Sequence, residues 1–440
     1  MTRSSVRIVR AALFLAALHA AAGFVSSAGA ADLGGNCCAD LEERIAELEA
    51  TTARKGNRKV SLTVSGYVAQ EITYWNDGGE TNIYLHGLGP TQATHVKFNG
   101  QAQVMPGVTA GYMLRIQNLD DNPFGRAGAA AMNQDNDNFS QGLNVQMSFW
   151  YVQSKELGKV SVGRGPMAAK SAAMFTDQSG TQLISNYTFF SGFPNFTIRS
   201  GGNLVPANLT WGQLAYCYHQ SAPIGGDCNG LVMNGVRYDT PVFAGFSASA
   251  SWGEDDVWDV AARYAGEMGG FKLAFGVGYS AATDENTAVV NANIIHKDSG
   301  VFQAGGYVQH IATGLFAHAA YGREDNSNTV IAVGAGTPPD SDHWYVKAGV
   351  RQKWTPLGAT VLWGDYAEYN DQLGTDAIAL GATSSTLKRY GLGVSQEIDA
   401  AAMSVYLKYQ RSTADITGIP AAIGSLDDLD LVSAGAIINF

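Results

Sequence analysis

The feature that most constrains this chain is an alternation of apolar and polar residues, which begins near Lys59 and recurs up to the last residue. The clearest run extends from Val96 to Val104. Successive side chains of a β-strand point to opposite faces, so this pattern predicts strands with one apolar and one hydrated face. After residue 30 no apolar run is long enough for a membrane-spanning helix. The apolar surface of this chain therefore belongs to strands.

The alternation predicts sixteen strands. The connections between them are alternately short and long. The turn Met105-Pro106-Gly107 is one of the short set, and the segments 166–229 and 282–300 belong to the long set, whereas 254–256 is short where a long connection is expected. Tight turns on one side and long loops on the other are typical of transmembrane barrels. An even strand count brings the start of the first strand and the end of the last strand to the same side of the membrane. The predicted strands are 58–75, 92–104, 108–118, 142–153, 159–165, 230–239, 244–253, 257–267, 270–281, 301–311, 314–322, 342–354, 359–370, 385–398, 402–411 and 428–440.

Strands that lie in lipid must close into a barrel, because lipid offers no hydrogen-bond partner to an open sheet edge. The 52 Gly, 12 Pro and mean hydropathy of −0.05 are typical of such a barrel. A large soluble β-sandwich or propeller would also alternate, but it would not need aromatic residues near its strand ends. We therefore predict an all-β, 16-stranded antiparallel transmembrane barrel over 58–440. The expected aromatic girdle consists of Tyr74, Trp75, Phe149, Trp150, Tyr151, Trp252, Trp258, Trp344, Trp354 and Trp363.

Two segments precede the predicted barrel. Residues 1–30 combine a positively charged start, a short apolar run and a final small-residue site, which predicts an export signal and a mature start at Ala31. The segment 31–57 is predicted to contain a short amphipathic helix with Leu41, Ile45 and Leu48 on one stripe. A helix of about two heptads is marginal alone, so it is either a loose periplasmic helix or a staple that needs three copies.

Charge and cysteine content limit the classes of function. The net charge of −11 argues against a nucleic-acid partner. The eight histidines are scattered and no catalytic or metal motif accompanies them, so we expect no enzyme, no cofactor and no metal site. Cys217 and Cys228 flank a Pro/Gly segment and are candidates for a loop-closing disulfide. The adjacent Cys37 and Cys38 are expected to be free thiols or to form intermolecular bridges.

Three stretches resemble a known family. The final strand, Ser433 to Phe440, resembles the C-terminal assembly signal of bacterial outer-membrane barrels. The stretch Leu157 to Gly165 looks like the porin strand that leads into the pore-constricting third loop, and Asn234 to Pro241 looks like the strand that follows that loop. Over residues 58–440 the chain is similar to Gram-negative general-diffusion porins, and most of all to the α-proteobacterial type.

This resemblance implies a homotrimer of barrels in the cell outer membrane, each with a water-filled channel narrowed by an inward-folded third loop. It implies passive diffusion of small hydrophilic solutes and ions as the function, with outer-membrane lipid and the barrel-assembly machinery as partners. Two alternatives stay open. One is a solute-selective channel. The other is a structural tether to peptidoglycan through 31–57, because the start Ala31-Asp32 resembles the amino termini of attached barrels.

In porins of this kind, acids on the third loop face bases on the wall. Alternate residues of a strand point into the barrel, and we call such positions inward by parity. Lys97 and Arg115 are inward by parity on neighbouring strands and are our candidates for the wall, while Asp177 is the candidate acid on the loop. Arg164 matches the family motif, although parity points it outward unless the strand bends at Gly163 or Gly165. Acidic loops over a basic wall leave ion preference undecided, with a slight lean to anions. The other pore-wall candidates are Arg263, Lys347, Arg351 and Arg389.

Overall fold

We describe a computed structural model of the protein. It describes residues 60–89, 92–119, 133–134, 142–189, 192–206, 209–254, 256–290, 293–331 and 337–440, with the backbone alone between 284 and 296. The predicted export signal 1–30, the helical segment 31–57 and the cysteines Cys37 and Cys38 lie outside the described residues. Within the described residues, no helix has the length and apolar character needed to cross a membrane.

Sixteen antiparallel strands form the wall of a closed barrel. In lipid, every backbone N–H and C=O group of these strands finds a hydrogen-bond partner only if the sheet closes into a ring. The strands are β1 (Ser61–Asn76), β2 (His95–Met105), β3 (Val108–Asn118), β4 (Leu143–Ser154), β5 (Gly158–Pro166), β6 (Val232–Asp239), β7 (Phe246–Gly253), β8 (Trp258–Met268), β9 (Phe271–Val290), β10 (Asn293–His310), β11 (Leu315–Asp325), β12 (Ser341–Thr355), β13 (Gly358–Asn370), β14 (Ser384–Ile398), β15 (Met403–Thr417) and β16 (Leu429–Asn439).

The barrel closes between its first and last strands. Tyr67 to Asn76 of β1 pair with Asn439 to Asp430 of β16, and the other half of β1 pairs with β2. A short strand, Thr81–His86, pairs with the outer half of β1. A second short strand, Val330–Ile331, pairs with β10. Outside the wall, the described residues also form a two-stranded sheet of Arg199–Ser200 with Asn203–Leu204 and a helix at Thr375–Ala379. They include 3-10 turns at Met174–Thr176, Trp211–Leu214, Asp399–Ala401 and Ala421–Ile423.

One predicted loop proved to be strand. The segment 282–300 was expected as a long connection, but β9 and β10 continue through it, and their ladder reaches the pair Val290 and Asn293. The prediction was wrong because it gave weight to the polar residues Asp284 and Glu285. The β-branched residues that follow them favour extended backbone. The connection after β7 is short, as expected.

The wall separates an exposed outer face from a covered inner face, as β11 illustrates by alternating exposed and buried residues throughout its length. Trp150, which is 53% exposed, lies on the outer face, and so do Trp252, Trp258, Trp344 and Trp354. Four expected members of the girdle point the other way, namely Trp75, Phe149, Tyr151 and Trp363. Trp75 and Trp363 are 0% and 5% exposed, because their positions in β1 and β13 have the inward parity.

The largest apolar cluster lies inside the ring and is built mainly by the connection between β5 and β6. This connection, residues 167–231, is called loop three below. Its aromatic residues Phe189, Phe193 and Trp211 pack with the inward Tyr345 and Tyr369 of the wall. Burial of such large side chains contributes on the order of 2 kcal/mol each. Loop three therefore has its own packed core and uses the inner wall as the other half of that core.

Candidate functional site

Basic side chains of the wall bind the backbone of loop three. The Nζ atom of Lys347 donates to the carbonyl of Ser185 at 2.9 Å, and that of Lys408 donates to the carbonyl of Ile184 at 3.1 Å. The guanidinium of Arg389 donates to the carbonyls of Thr188, at 2.7 Å, and of Asn186. Burying charged groups is costly unless they are paired and hydrogen-bonded, and these contacts meet that condition.

The same arrangement continues along the wall. Arg351 donates to the carbonyl of Ser179 at 3.1 Å and forms an ion pair with Glu397 of β14. Arg263 of β8 donates to the carbonyl of Ala168 at 2.7 Å. The four bases proposed as pore wall, Arg263, Lys347, Arg351 and Arg389, are therefore all inward-facing and all in contact with loop three.

Acids of the wall complement these bases by accepting from loop-three amides. Asp259 of β8 accepts from the backbone N–H groups of Ala168 and Ala169, at 3.0 Å and 2.6 Å. Glu324 of β11 accepts from the backbone of Tyr218 and His219. Donors and acceptors thus fix loop three against β8, β11, β12 and β14, which leaves it little freedom to move as a unit.

Asp177, the acid expected on loop three, does face a wall base. Its Oδ2 atom lies 2.9 Å from the Nζ atom of Lys347, and both side chains are buried. Burial raises the pKa of the Asp177 carboxyl, but the Lys347 ammonium, His318 and the hydrogen bonds of Ser179 together outweigh this effect, and the net result is a pKa below its ordinary value. The two groups form a direct ion pair, so they leave no gap for a solute between them.

The wall of β2 to β5 carries a second group of inward bases. Lys97 and Arg115 are register partners on β2 and β3, and Arg115 also contacts His95 across 3.2 Å. Lys159 of β5 has the same inward parity. In the part of the chain that the structure describes, Lys97 and Lys159 make no ion pair within 4.0 Å. They differ in this respect from Lys347 and Lys408.

Open space lies beside this part of the wall. A cavity of about 480 Å³ is lined by inward polar residues at the turn ends of β2, β3 and β4, among them Gln101, Gln103, Thr109 and Gln153. Gln153 is the register partner of Lys159, so the cavity reaches the level of that base. Polar lining and nearby cations are the features that a path for hydrated ions requires.

Arg164 lies apart from these bases. It is exposed and has the same parity as Val160 and Val162, and its register partner is Ser148, two residues from the outward Trp150. Gly163 has a φ of 128°, but the register across it is continuous, so the side chain stays on the outer face. The bend considered from the sequence does not bring Arg164 into the interior.

The remaining predicted residues have clear places. Cys217 and Cys228 are joined by a disulfide within loop three. Glu324 lies near both sulfur atoms, but bonded sulfurs offer no thiolate to a metal ion. Phe440 exchanges two backbone hydrogen bonds with Gly66, at 2.9 Å and 3.1 Å, which fastens the last residue to β1.

Sequence reasoning missed several inward charges. Lys159 and Arg237 both have the inward parity, and parity alone could have found them. Glu71 of β1 binds Lys408 at 2.6 Å across the barrel closure, a contact between residues 337 apart in the sequence. No local signal reports such a pair, because it depends on which strands meet when the ring closes.

Solved structures with the same fold are outer-membrane proteins. The anion-selective porin from Comamonas acidovorans is 17% identical, with a TM-score of 0.52 over 87% of this chain and 100% of that one. A loop-deletion mutant of OmpT from Vibrio cholerae is 11% identical, with a TM-score of 0.51 over 87% and 100%. The outer membrane channel DcaP of Acinetobacter baumannii is 12% identical, with a TM-score of 0.50 over 88% and 100%. At these identities the likeness concerns the fold.

The family assignment comes from the sequence itself. Residues 12–436 of the 440 match the Gram-negative porin family. No curated protein is a significant sequence match to the chain. The family match, the closed ring of sixteen strands and the inward polar wall agree with one another. The chain belongs to the Gram-negative porin family and forms an outer-membrane channel for passive diffusion.

Proposed function

We propose that the diffusion path runs between loop three and the inner face of β2 to β5, and that it favours small anions over cations. The observation that carries this proposal is that the inward bases fall into two groups, one that binds loop three and one that does not. Those on β8, β12, β14 and β15 donate to loop-three carbonyls, whereas Lys97 and Lys159 make no ion pair within 4.0 Å in the described residues. Asp239 of β6 is the register partner of Lys159, but its carboxylate is paired with Arg237.

The positive charges at this place attract anions and repel cations. Two unit charges about 4 Å apart interact by about 4 kcal/mol at an effective dielectric constant of about 20. The charge of Asp239 is balanced by Arg237, so Lys97, Arg115 and Lys159 leave the local field positive, although the chain as a whole is acidic. The expected substrates are small hydrated anions, together with uncharged hydrophilic solutes that fit the gap.

A bilayer experiment tests both the path and its ion preference. We expect the refolded protein in a KCl gradient to give a reversal potential whose sign indicates chloride selectivity. We expect the double variant Lys97→Gln/Lys159→Gln to lower the anion-to-cation permeability ratio several-fold. The matched control is Arg323→Gln, which removes one base from the outer face, where Arg323 pairs with Asp340. A reversal potential whose sign indicates potassium selectivity would contradict the proposal. Equal anion-to-cation permeability ratios in the double variant and the parent would also contradict it.

The same recordings test the assembly. We propose a homotrimer, supported by the family and by Arg164, whose charged side chain lies on the outer face of β5. A lipid-facing Arg can cost about 2–4 kcal/mol near the bilayer midplane, and contact with a neighbouring copy would reduce that cost. Conductance in steps of three is the expected result. Attachment of 31–57 to peptidoglycan, recognition of Phe440 by the assembly machinery and the absence of enzymatic activity stay predictions.

A further inference from the structure

The inner wall of β4 and β5 carries two aromatic rings beside a base. The Nζ atom of Lys159 lies 4.6 Å from the ring centroid of Tyr151 and 5.7 Å from that of Phe149. Both rings have the inward parity, since the residue between them, Trp150, is exposed on the outer face. A cation within about 6 Å of a ring centroid is attracted by the negative face of the ring. These three side chains are called the aromatic-lysine patch below.

Glycines behind the patch give the rings their position. A Cβ atom at Gly111 of β3 would overlap the ring of Tyr151, and one at Gly165 of β5 would lie 3.1 Å from the Phe149 ring. The two rings therefore lie close along the backbone of the neighbouring strands, where a larger residue would push them into the lumen. The patch forms part of the wall and does not block the path.

Loop three contributes a further exposed ring to the interior of the barrel. Phe175 is 46% exposed, although its neighbours Met174 and Thr176 are buried. Met174 accepts a long contact of 3.9 Å from the side chain of Gln92, which immediately precedes the β2 wall. The segment that carries Phe175 is fixed mainly on the other side of the barrel, since Thr176 contacts His318 of β11 and Asp177 pairs with Lys347 of β12. An exposed phenylalanine in an otherwise polar space is suited to contact an apolar ring of a solute.

We propose that the aromatic-lysine patch is a binding site for planar aromatic carboxylates during their passage. The carboxylate would pair with the Lys159 ammonium, while the ring would pack against Tyr151 and Phe149. A saturated carboxylate of similar size would gain the charge interaction and lose most of the ring stacking, which is specific to aromatic geometry. This proposal rests on the proposed diffusion path and names its preferred substrate class.

The test uses block of the KCl current by added organic anions. Benzoate and cyclohexanecarboxylate have the same charge and nearly the same size, but one ring is planar and the other is not. We expect benzoate to reach half-block at a concentration roughly three- to tenfold lower, as aromatic pairing predicts. Tyr151→Leu should remove this difference and leave the KCl conductance within about twofold of the parent. Tyr112→Leu, on the outer face of β3, is the control and should keep the difference.

The outcomes separate this inference from the proposed function. Chloride selectivity together with equal block by the two acids would overturn the inference alone. A preference for benzoate that Tyr151→Leu leaves unchanged would also overturn it, because the ring of Tyr151 would then play no part. Potassium selectivity in the same membranes would instead overturn the proposed path. Heat-modifiable migration on a gel verifies that each variant is folded.

Discussion

His219 lies in loop three with its ring between Ser280 and Ser299 of the wall, at 2.7 Å and 2.9 Å. Burial, with a smaller contribution from the ammonium of Lys297, lowers the pKa of its imidazole to about 3. Lys297 donates to the His219 carbonyl, and the carboxylate of Glu324 accepts from the His219 backbone N–H. The folded chain therefore holds this imidazole neutral at pH values where an exposed histidine gains a proton.

A loss of loop-three stability in weak acid follows from this difference. Below about pH 6.5 the imidazole of His219 binds a proton in the unfolded segment but not in the folded one. The contribution of His219 to the opening free energy should therefore fall by about 1.4 kcal/mol per pH unit below that value, and the difference between the parent and a His219 variant isolates it. Hydrogen exchange of loop-three amides at pH 7 and pH 5, corrected for intrinsic rates, measures the effect. His219→Gln should remove this contribution, whereas His310→Gln, at the end of β10, should not. Equal pH dependence in all three proteins would exclude this role of His219.

At the scale of elements, strand parity predicted more of the site than local motifs did. Lys97, Arg115, Lys347 and Arg389 face inward as the alternation requires. Parity also places Arg164 outward, against the family motif. What the alternation could not predict is the path of loop three, because a contact such as Arg389 to Thr188 joins residues 201 apart. Which inward bases stay open to solutes depends on that path.

The disulfide gives loop three a local constraint whose removal can be measured. Cys217 and Cys228 are separated by 11 residues, and closure of a loop of this size stabilises by about 3 kcal/mol in the chain-entropy description. We expect Cys217→Ser/Cys228→Ser to fold, since the wall contacts of loop three remain, but to cleave faster in loop three under limited proteolysis. Addition of reductant to the parent should give the same increase and should not affect the double variant. Unchanged cleavage in both cases would mean that packing alone fixes this segment.

At the scale of the whole molecule, two fields of opposite sign compete. The chain has a net charge of −11, while the proposed path is lined by Lys97, Arg115 and Lys159. A charge on the outer surface acts through water and is screened over about 10 Å at 0.1 M salt but about 3 Å at 1 M. A base in the path acts on an ion within a few ångströms, so salt should weaken it less than it weakens the acidic surface.

The salt dependence of selectivity therefore reports which field governs the channel. If the lumen bases govern it, the permeability ratio in a tenfold KCl gradient should favour chloride at both 0.1 M and 1 M, and should decline only moderately at the higher concentration. If the acidic surface governed it, the channel would favour potassium at 0.1 M and lose this preference at 1 M. Lys97→Gln/Lys159→Gln should shift the parent behaviour toward the second pattern, because that variant keeps the acidic surface and removes two of the three opposing charges. Chloride preference that is equal in the parent and the double variant at both concentrations would place the selective charges elsewhere on the wall.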